Sequence, residues 1–192
     1  MPDITTRLHA DATPTAPALV LRPWSPADAA GLAVLRGDEA LRRWTSFSVE
    51  DVPSAARWLR EQRRGWDEGH RFAFAVEEVD PSGTGGPPAG HVVLKDVAPG
   101  AGSAEVGYWT VARARGRGIA PRALRALTDW AFTTFAGDGL TRLGLRHQGD
   151  NTASCRVAGK SGYELAAVLS PNPPAHPVQG HLHVRHRAAT PR

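Results

Sequence analysis

The chain contains very little cysteine and very little lysine. Its 192 residues include one cysteine, Cys155, and lysine appears only as Lys95 and Lys160. A single cysteine cannot form an internal disulfide, and nothing beside it in the sequence suggests a metal site, so disulfide-rich scaffolds and cysteine-rich metal domains are excluded. We interpret Cys155 as a small buried residue rather than a nucleophile, because the sequence suggests no histidine partner for it.

Long apolar runs are also missing. No segment approaches the length of a membrane span, and the first residues lack the basic and then apolar regions of a secretory signal. We therefore expect a cytoplasmic protein with no membrane partner. The length predicts one domain at residues 18–188, preceded by a disordered tail at 1–17 that is rich in Ala, Thr and Pro, and followed by a short tail at 189–192.

The charge of the chain is basic, and arginine carries nearly all of it. The formal net charge is +4 and the sequence pI is about 10.0. A basic chain can bind nucleic acid, an anionic membrane surface or an anionic cofactor. Most of the arginines are dispersed, which favours a bound anionic cofactor over a nucleic-acid partner. The one dense cluster consists of Arg113, Arg115, Arg117 and Arg122.

That cluster lies in a predicted strand–turn–helix unit at residues 104–135. Residues 104–111 are rich in β-branched and aromatic types, as strands are, and apolar residues recur at helical spacing after Pro121. A helix start presents free backbone N–H groups at the positive end of its dipole. Because Gly116 and Gly118 have no side chain to prevent close approach, the turn predicts a phosphate or pyrophosphate site.

Two common phosphate motifs do not match this turn. A P-loop requires Gly-Lys-Ser or Gly-Lys-Thr, but Gly118 is followed by Ile119. A Rossmann turn requires a third glycine where this chain has Pro121. The pattern Arg115-x-x-Gly118-x-Ala120 instead resembles the acyl-CoA pyrophosphate loop of the GNAT N-acetyltransferase superfamily.

A second motif supports this resemblance. The run Asp-Asn-Thr-Ala-Ser at 150–154, followed by Gly-Tyr at 162–163, is similar to the downstream GNAT segment Asn-x-x-Ser/Ala … Gly-Phe/Tyr. The predicted order of a strand, two helices, three strands, a helix, a strand, a helix and two strands also resembles that family. The run Glu-x-Gly-Tyr-Trp before the turn, and an N-terminal arm with a tryptophan-bearing loop, are similar to the RimJ/RimL-like branch.

The resemblance implies an α/β GNAT fold with a mixed, mostly antiparallel central sheet of about seven strands, flanking helices and a V-shaped acyl-CoA gap. It also implies an acyltransferase that uses acetyl-CoA as co-substrate and needs no metal. The acceptor would be a primary amine, either a protein N-terminal amine or a small molecule such as an antibiotic. Dimers are frequent among such proteins, so a homodimer is a further hypothesis.

The family motif also implies positions for the cofactor. The pantetheine would pair with Thr110 and Val111 like an added strand, and the pyrophosphate would meet backbone N–H groups of the turn. Asn151 would bind the pantetheine arm, serve only as the N-cap of the next helix, or do both. The residues expected to bind the cofactor are Thr110, Val111, Arg115, Gly116, Arg117, Gly118, Ile119, Ala120 and Asn151.

Two residues are candidates for proton transfer. Glu105 is a lone charge in an apolar strand, and burial would raise its pKa toward the range useful for a base; the alternative is a glutamate paired with an arginine or directed to solvent. We expect the Val111 N–H to meet the oxyanion. Where many relatives have a tyrosine that protonates the thiolate, this chain has Ala158, so Ser154 is the candidate acid. Alternatively, Ser154 only packs and water supplies the proton.

Aromatic residues supply candidates for the acceptor pocket. Trp44, Phe47 and Tyr108 are expected to bind substrate, with core packing as the alternative for Tyr108. Two other functions remain open. The missing tyrosine at Ala158 permits a sensor or scaffold module that binds acyl-CoA without turnover, and the arginine-rich turn permits a nucleic-acid-binding protein.

The histidines near the C-terminus do not predict a metal site. His181, His183 and His186 are close in sequence, but no carboxylate or cysteine accompanies them at ligand spacing. His183 and His186 would also point to opposite faces of a strand. We therefore expect no bound metal.

Overall fold

The computed structural model describes residues 2–80, 82–173 and 178–188, so the predicted tail at 189–192 lies outside the described residues. Its eight strands form one sheet in the order β1-β2-β3-β4-β5-β6-β8-β7, in which β5 and β6 are the parallel neighbours and the other pairs are antiparallel. The strands are β1 (Leu8–Ala10), β2 (Ala18–Pro23), β3 (Arg71–Val79), β4 (Gly90–Lys95), β5 (Ser103–Thr110), β6 (Arg142–Gln148), β7 (Glu164–Leu169) and β8 (Gly180–His186).

Within the described residues, five α-helices flank the sheet: α1 (Ala29–Ala33), α2 (Glu39–Trp44), α3 (Val52–Glu68), α4 (Ile119–Thr134) and α5 (Thr152–Lys160). The longest of them, α3, is capped at both ends. The Asp51 carboxylate accepts the Ser54 N–H at the start of α3, and Gly69 ends this helix in the left-handed conformation at φ 72°. The expected α/β fold with a mostly antiparallel sheet is confirmed.

The sheet has one strand more than expected, because the predicted disordered tail contributes β1. Leu8 pairs with Leu21 of β2 and is buried. The Arg122 guanidinium of α4 donates hydrogen bonds to the backbone carbonyls of Ala10 and Asp11. The tail prediction is therefore wrong for this segment. One leucine is enough to bury a short strand when a sheet edge and a helix are available to receive it.

Side-chain alternation divides the sheet into two faces that matter for the site. Phe74, Val92 and Tyr108 are cross-strand partners, so their side chains point to the same face. Trp130 of α4 packs on Phe74 with ring centroids 5.4 Å apart. We call this side of the sheet the α4 face; α5 covers its far end.

The opposite face carries an aromatic cluster. His91 and Trp109 are cross-strand partners stacked 5.3 Å apart, and Trp24, Phe47 and Trp58 pack around them. The Trp24 indole N–H donates to Nδ1 of His91 at 3.0 Å. Because His91 is buried, desolvation lowers its pKa to about 3, and the positive charge of Arg71 adds to this effect. The ring is therefore a neutral hydrogen-bond acceptor in the core.

Candidate active site

The two parallel strands part in the middle of the sheet. β5 and β6 pair from Ser103 with Arg142 to Val106 with Leu145. Beyond that point the described structure has no pairing between them, although β5 continues to Thr110 and β6 to Gln148. A gap therefore opens between the C-terminal halves of the two strands. It lies beside the starts of α4 and α5, which follow β5 and β6 along the chain.

The register of β4 and β5 determines which backbone groups of β5 face this gap. The Val111 N–H donates to the Ala89 carbonyl at 3.0 Å, and Gly90 pairs with Thr110 in the antiparallel ladder. Backbone groups of alternate residues point to opposite sides of a strand. Tyr108 and Thr110 therefore direct their backbone groups toward the gap, whereas Val111 points away from it. The expectation that the Val111 N–H meets an oxyanion is corrected, because that N–H already has a partner.

The turn after β5 has an open surface in front of a helix. Gly116 has φ 77° and Gly118, the N-cap of α4, has φ 72°, a backbone conformation that favours glycine. A Cβ added at either glycine would have no described heavy atom within 4 Å. The helix begins at Ile119, so Pro121 stands in its first turn, as predicted. The free N–H groups of this turn meet no obstruction from the two glycines.

The arginines of the turn are not free charges. Arg115 forms an ion pair with Asp38, the N-cap of α2, and Arg117 forms one with Glu78 at 2.8 Å. Arg113 donates to the carbonyls of Pro87 and Pro88. Two of the four charges in the predicted cluster are therefore paired with carboxylates, whereas Arg113 and Arg122 donate only to backbone carbonyls and keep their net charge. An anion would meet the backbone of the turn, with Arg115 and Arg117 partly exposed at its rim.

Three predicted site residues meet on the α4 face beside the gap. The Tyr108 hydroxyl donates to Ser154 Oγ at 3.0 Å, and the Ser154 N–H donates to the Asn151 side-chain oxygen at 3.1 Å. Asn151 is thus the N-cap of α5, and its side-chain NH₂ is left to serve a ligand. Desolvation raises the pKa of Tyr108, against the opposing effect of its bond to Ser154, so the phenol keeps its proton.

The contact between Tyr108 and Ser154 was not predicted, because the two residues are far apart in sequence. Ala158 of α5 is fully buried. Because it is an alanine, this chain has no hydroxyl at the position where many relatives have tyrosine. Tyr108 brings a phenol to the same helix from β5 instead.

Glu105 lies on the opposite face, because it is an odd number of residues from Tyr108 along the same strand. Its carboxylate contacts Lys95 Nζ at 2.6 Å and Arg146 Nε at 3.4 Å. Lys95 is its direct cross-strand neighbour. Glu105 is therefore not the lone charge expected from the sequence. The alternative of a paired glutamate describes the contacts that the structure gives it.

The remaining acceptor candidates lie in different surroundings. Phe47 is buried in the aromatic cluster, with its ring centroid 5.3 Å from that of Trp109. It therefore packs against β5 from the face opposite α4. Trp44 ends α2 and stacks under the Arg43 guanidinium, 4.3 Å from the ring centroid. Arg43 also pairs with Asp150, just before α5. Trp44 therefore lies on a helix that is tied to the starts of both α4 and α5.

Comparison with known proteins places this geometry in a family. A family model for the "Acetyltransferase (GNAT) domain" matches residues 18–164. A search of curated proteins finds no match. Among the described residues, no helix has both the length and the apolar character needed to cross a membrane.

Solved structures of acetyltransferases share the fold. RimJ of Mycobacterium smegmatis, solved in complex with CoA-disulfide, is 25% identical, with 96% of this chain and 88% of that chain covered and a TM-score of 0.78. RimL, the ribosomal L7/L12 α-N-protein acetyltransferase solved with coenzyme A, is 19% identical, with 90% and 96% covered and a TM-score of 0.74. The microcin C7 self-immunity acetyltransferase MccE, solved with acetyl-CoA and AMP, is 17% identical, with 91% and 98% covered and a TM-score of 0.74. The chain belongs to the GNAT acetyltransferase family, in its RimJ/RimL-like branch, and is an acyltransferase.

Proposed function

We propose that this acyltransferase moves the acetyl group of acetyl-CoA directly to a primary amine. The observation that carries the proposal is the gap between β5 and β6, which leads to the open glycine turn before α4. The solved neighbours support the choice of cofactor, because RimJ, RimL and MccE were solved with CoA or acetyl-CoA. They leave two acceptor classes open. RimL is named as an α-N-protein acetyltransferase and MccE as a microcin C7 self-immunity acetyltransferase, so we keep a protein N-terminus and a small amine as candidates.

The unpaired strand edge is suited to the pantetheine arm. Its amides would pair with the backbone of Tyr108 and Thr110, the β5 residues whose groups face the gap. The Asn151 NH₂ would donate to the same arm from the other side. The pyrophosphate would then meet the N–H groups of Gly116 to Ala120, where the helix dipole favours negative charge. Arg115 and Arg117 would border the anion while remaining held by Asp38 and Glu78.

The reaction would begin when the neutral amine attacks the thioester carbon. A C–N bond forms and negative charge collects on the carbonyl oxygen. The Tyr108 N–H faces the gap and replaces Val111 as our candidate oxyanion donor. When the C–S bond breaks, the CoA thiolate needs a proton. Ser154 would donate it, and its oxygen already accepts the Tyr108 hydroxyl, so that hydroxyl would pass its proton to Ser154. The Tyr108 phenolate left by this transfer would regain a proton from water when the products leave.

The acceptor amine must also lose a proton, because an alkyl ammonium is mostly charged at neutral pH. We retain Glu105 as the proton acceptor, acting directly or through a water. Its carboxylate contacts Lys95 and Arg146 on the face of the sheet opposite α4. On this proposal the amine arrives from the face that carries Glu105, and Trp44 borders the entrance.

The cofactor assignment can be tested by isothermal titration with acetyl-CoA, with ATP as a control for nonspecific phosphate binding. Saturable binding of acetyl-CoA, stronger than that of ATP, is expected. Release of CoA thiol would then be followed with N-terminal peptides and with small amines as two acceptor panels. Absence of binding at millimolar acetyl-CoA would refute the proposal. Binding with no thiol release from either panel would favour the sensor or scaffold module.

A further inference from the structure

Four side chains that have no part in the proposed reaction converge beneath α5. They come from three elements: His147 from β6, Cys155 from α5, and His181 and His183 from β8. One ligand-type atom from each lies within 4.8 Å of the others. The sequence argument against a metal relied on the lack of a cysteine near the histidines. The fold supplies Cys155, so that premise is wrong.

The strand register explains how the three histidines meet. His147 is the cross-strand partner of His181, and His183 follows two residues further along β8. All three side chains therefore point to the α4 face, with ring centroids 5.1 to 6.2 Å apart. Cys155 is the fourth residue of α5 and points toward them. Its Sγ is 3.3 Å from His181 Nδ1 and 3.7 Å from His147 Nε2.

Hydrogen bonds within the described structure leave this cluster unsatisfied. His183 is 5% exposed, and neither of its ring nitrogens has a hydrogen-bond partner among the described residues. His147 Nδ1 lies 2.8 Å from the Gln148 carbonyl, which can only accept, so the proton is on Nδ1 and Nε2 presents a lone pair. The single S–H of Cys155 can serve one lone pair at most. Neither nitrogen of His183 is therefore served among the described residues, and this S–H cannot serve both His147 Nε2 and His181 Nδ1.

We propose that these four side chains bind a divalent metal ion of the Zn²⁺ type in tetrahedral geometry. Zn–S bonds of about 2.3 Å and Zn–N bonds of about 2.0–2.1 Å place sulfur and nitrogen ligands about 3.5 Å apart on a tetrahedron. The two distances from Cys155 Sγ, 3.3 and 3.7 Å, lie on either side of that value. The Gln148 carbonyl on His147 Nδ1 is the kind of outer contact that orients a metal-binding imidazole.

The metal would be structural, because four protein ligands leave no open position. It would fasten the start of α5 to β6 and β8, next to Ser154, which immediately precedes Cys155 in the chain. The site stands independently of the acetyl-transfer reaction. Its test therefore reads metal content and cysteine chemistry rather than turnover.

The full chain, prepared without a polyhistidine tag, would be stripped with a chelator and given Zn²⁺ or Co²⁺. We expect about one tightly held Zn²⁺ per chain and, with Co²⁺, the thiolate charge-transfer absorption of a tetrahedral cysteine-bound ion. Cys155→Ser and His183→Gln should each weaken binding by more than about 100-fold. His186→Gln is the matched control, because His186 is on the same strand, exposed and directed to the other face, and it should bind as the wild type does.

A measurement on the wild-type chain covers the case in which a variant fails to fold. Cys155 is the sole thiol, so its reaction with a thiol reagent reports on the site directly. Zn²⁺ should slow this reaction, and a chelator should restore it. Equal reactivity with and without Zn²⁺, together with no Co²⁺–thiolate absorption, would overturn the proposal. Such a result would leave the acetyltransferase proposal untouched.

Discussion

A matched pair of glycine substitutions tests the pyrophosphate site most directly. Gly118 is the N-cap of α4, whereas Gly100 lies in the turn that precedes β5. Their φ angles are 72° and 73°, and a Cβ added at either would have no described heavy atom within 4 Å. Alanine therefore meets the same backbone strain at both positions and no clash at either. The two variants should therefore differ in their affinity for acetyl-CoA and not in their stability.

The stability effects can be estimated from this geometry. An L-residue in the left-handed conformation costs about 1–2 kcal/mol, and the reduced freedom of the unfolded chain returns about 0.4–1 kcal/mol. Both Gly118→Ala and Gly100→Ala should therefore lose about 1 kcal/mol, which lowers Tm by about 2–4 °C in a chain of this size. Thermal unfolding of the two variants side by side checks this step.

Only Gly118→Ala should impair cofactor binding, because its methyl group would stand in the open space before the first N–H groups of α4. We expect its Kd for acetyl-CoA to rise at least about tenfold, or 1.4 kcal/mol, while Gly100→Ala binds as the wild type does. Isothermal titration measures both. If Gly118→Ala keeps wild-type affinity although its Tm falls as that of Gly100→Ala does, the pyrophosphate does not bind at this turn.

Three further outcomes follow from the site and the core. Tyr108→Phe should lower kcat about tenfold, with the KM for acetyl-CoA unchanged, because it removes only the hydroxyl behind Ser154; an unchanged kcat would leave that hydroxyl a structural role. Glu105→Gln should lower kcat by about 10²-fold if the carboxylate accepts the amine proton, and full activity would remove it as the base. His91 is buried with a pKa of about 3, so the unfolded chain binds its proton first as pH falls below 6.5. Urea unfolding should show a loss of about 2 kcal/mol from this group between pH 7 and pH 5, and the loss should be absent in His91→Gln.

Local features of the site could be predicted from the sequence. The turn at Gly116 and Gly118, the helix that starts beside them and the N-cap at Asn151 each depend on a few neighbouring residues, and the structure contains all of them. Short-range conformational preferences are sufficient for such elements. The sequence also placed Ser154 on the same helix face as Asn151, where the structure has it.

Features that depend on the pairing of distant strands could not be predicted. The Val111 N–H is the predicted oxyanion donor, but the phase of the β4–β5 ladder directs it to the Ala89 carbonyl. The alternation of backbone groups follows from that phase, which the local sequence does not reveal. The partners of Arg115 and Arg117 come from segments much earlier in the chain, so the charge of the turn was overestimated for the same reason.

The position of the gap in the sheet has a consequence for proton transfer. The hydroxyls of Tyr108 and Ser154 are on the α4 face, and the Glu105 carboxylate is on the opposite face with Lys95 and Arg146. Because they lie on different faces of the sheet, the hydroxyls and the carboxylate do not hydrogen-bond each other. The leaving thiolate and the arriving amine can therefore be served at the same time, one through each face. Strand parity creates this separation, because Tyr108 and Glu105 are three residues apart along β5 and therefore point to opposite faces.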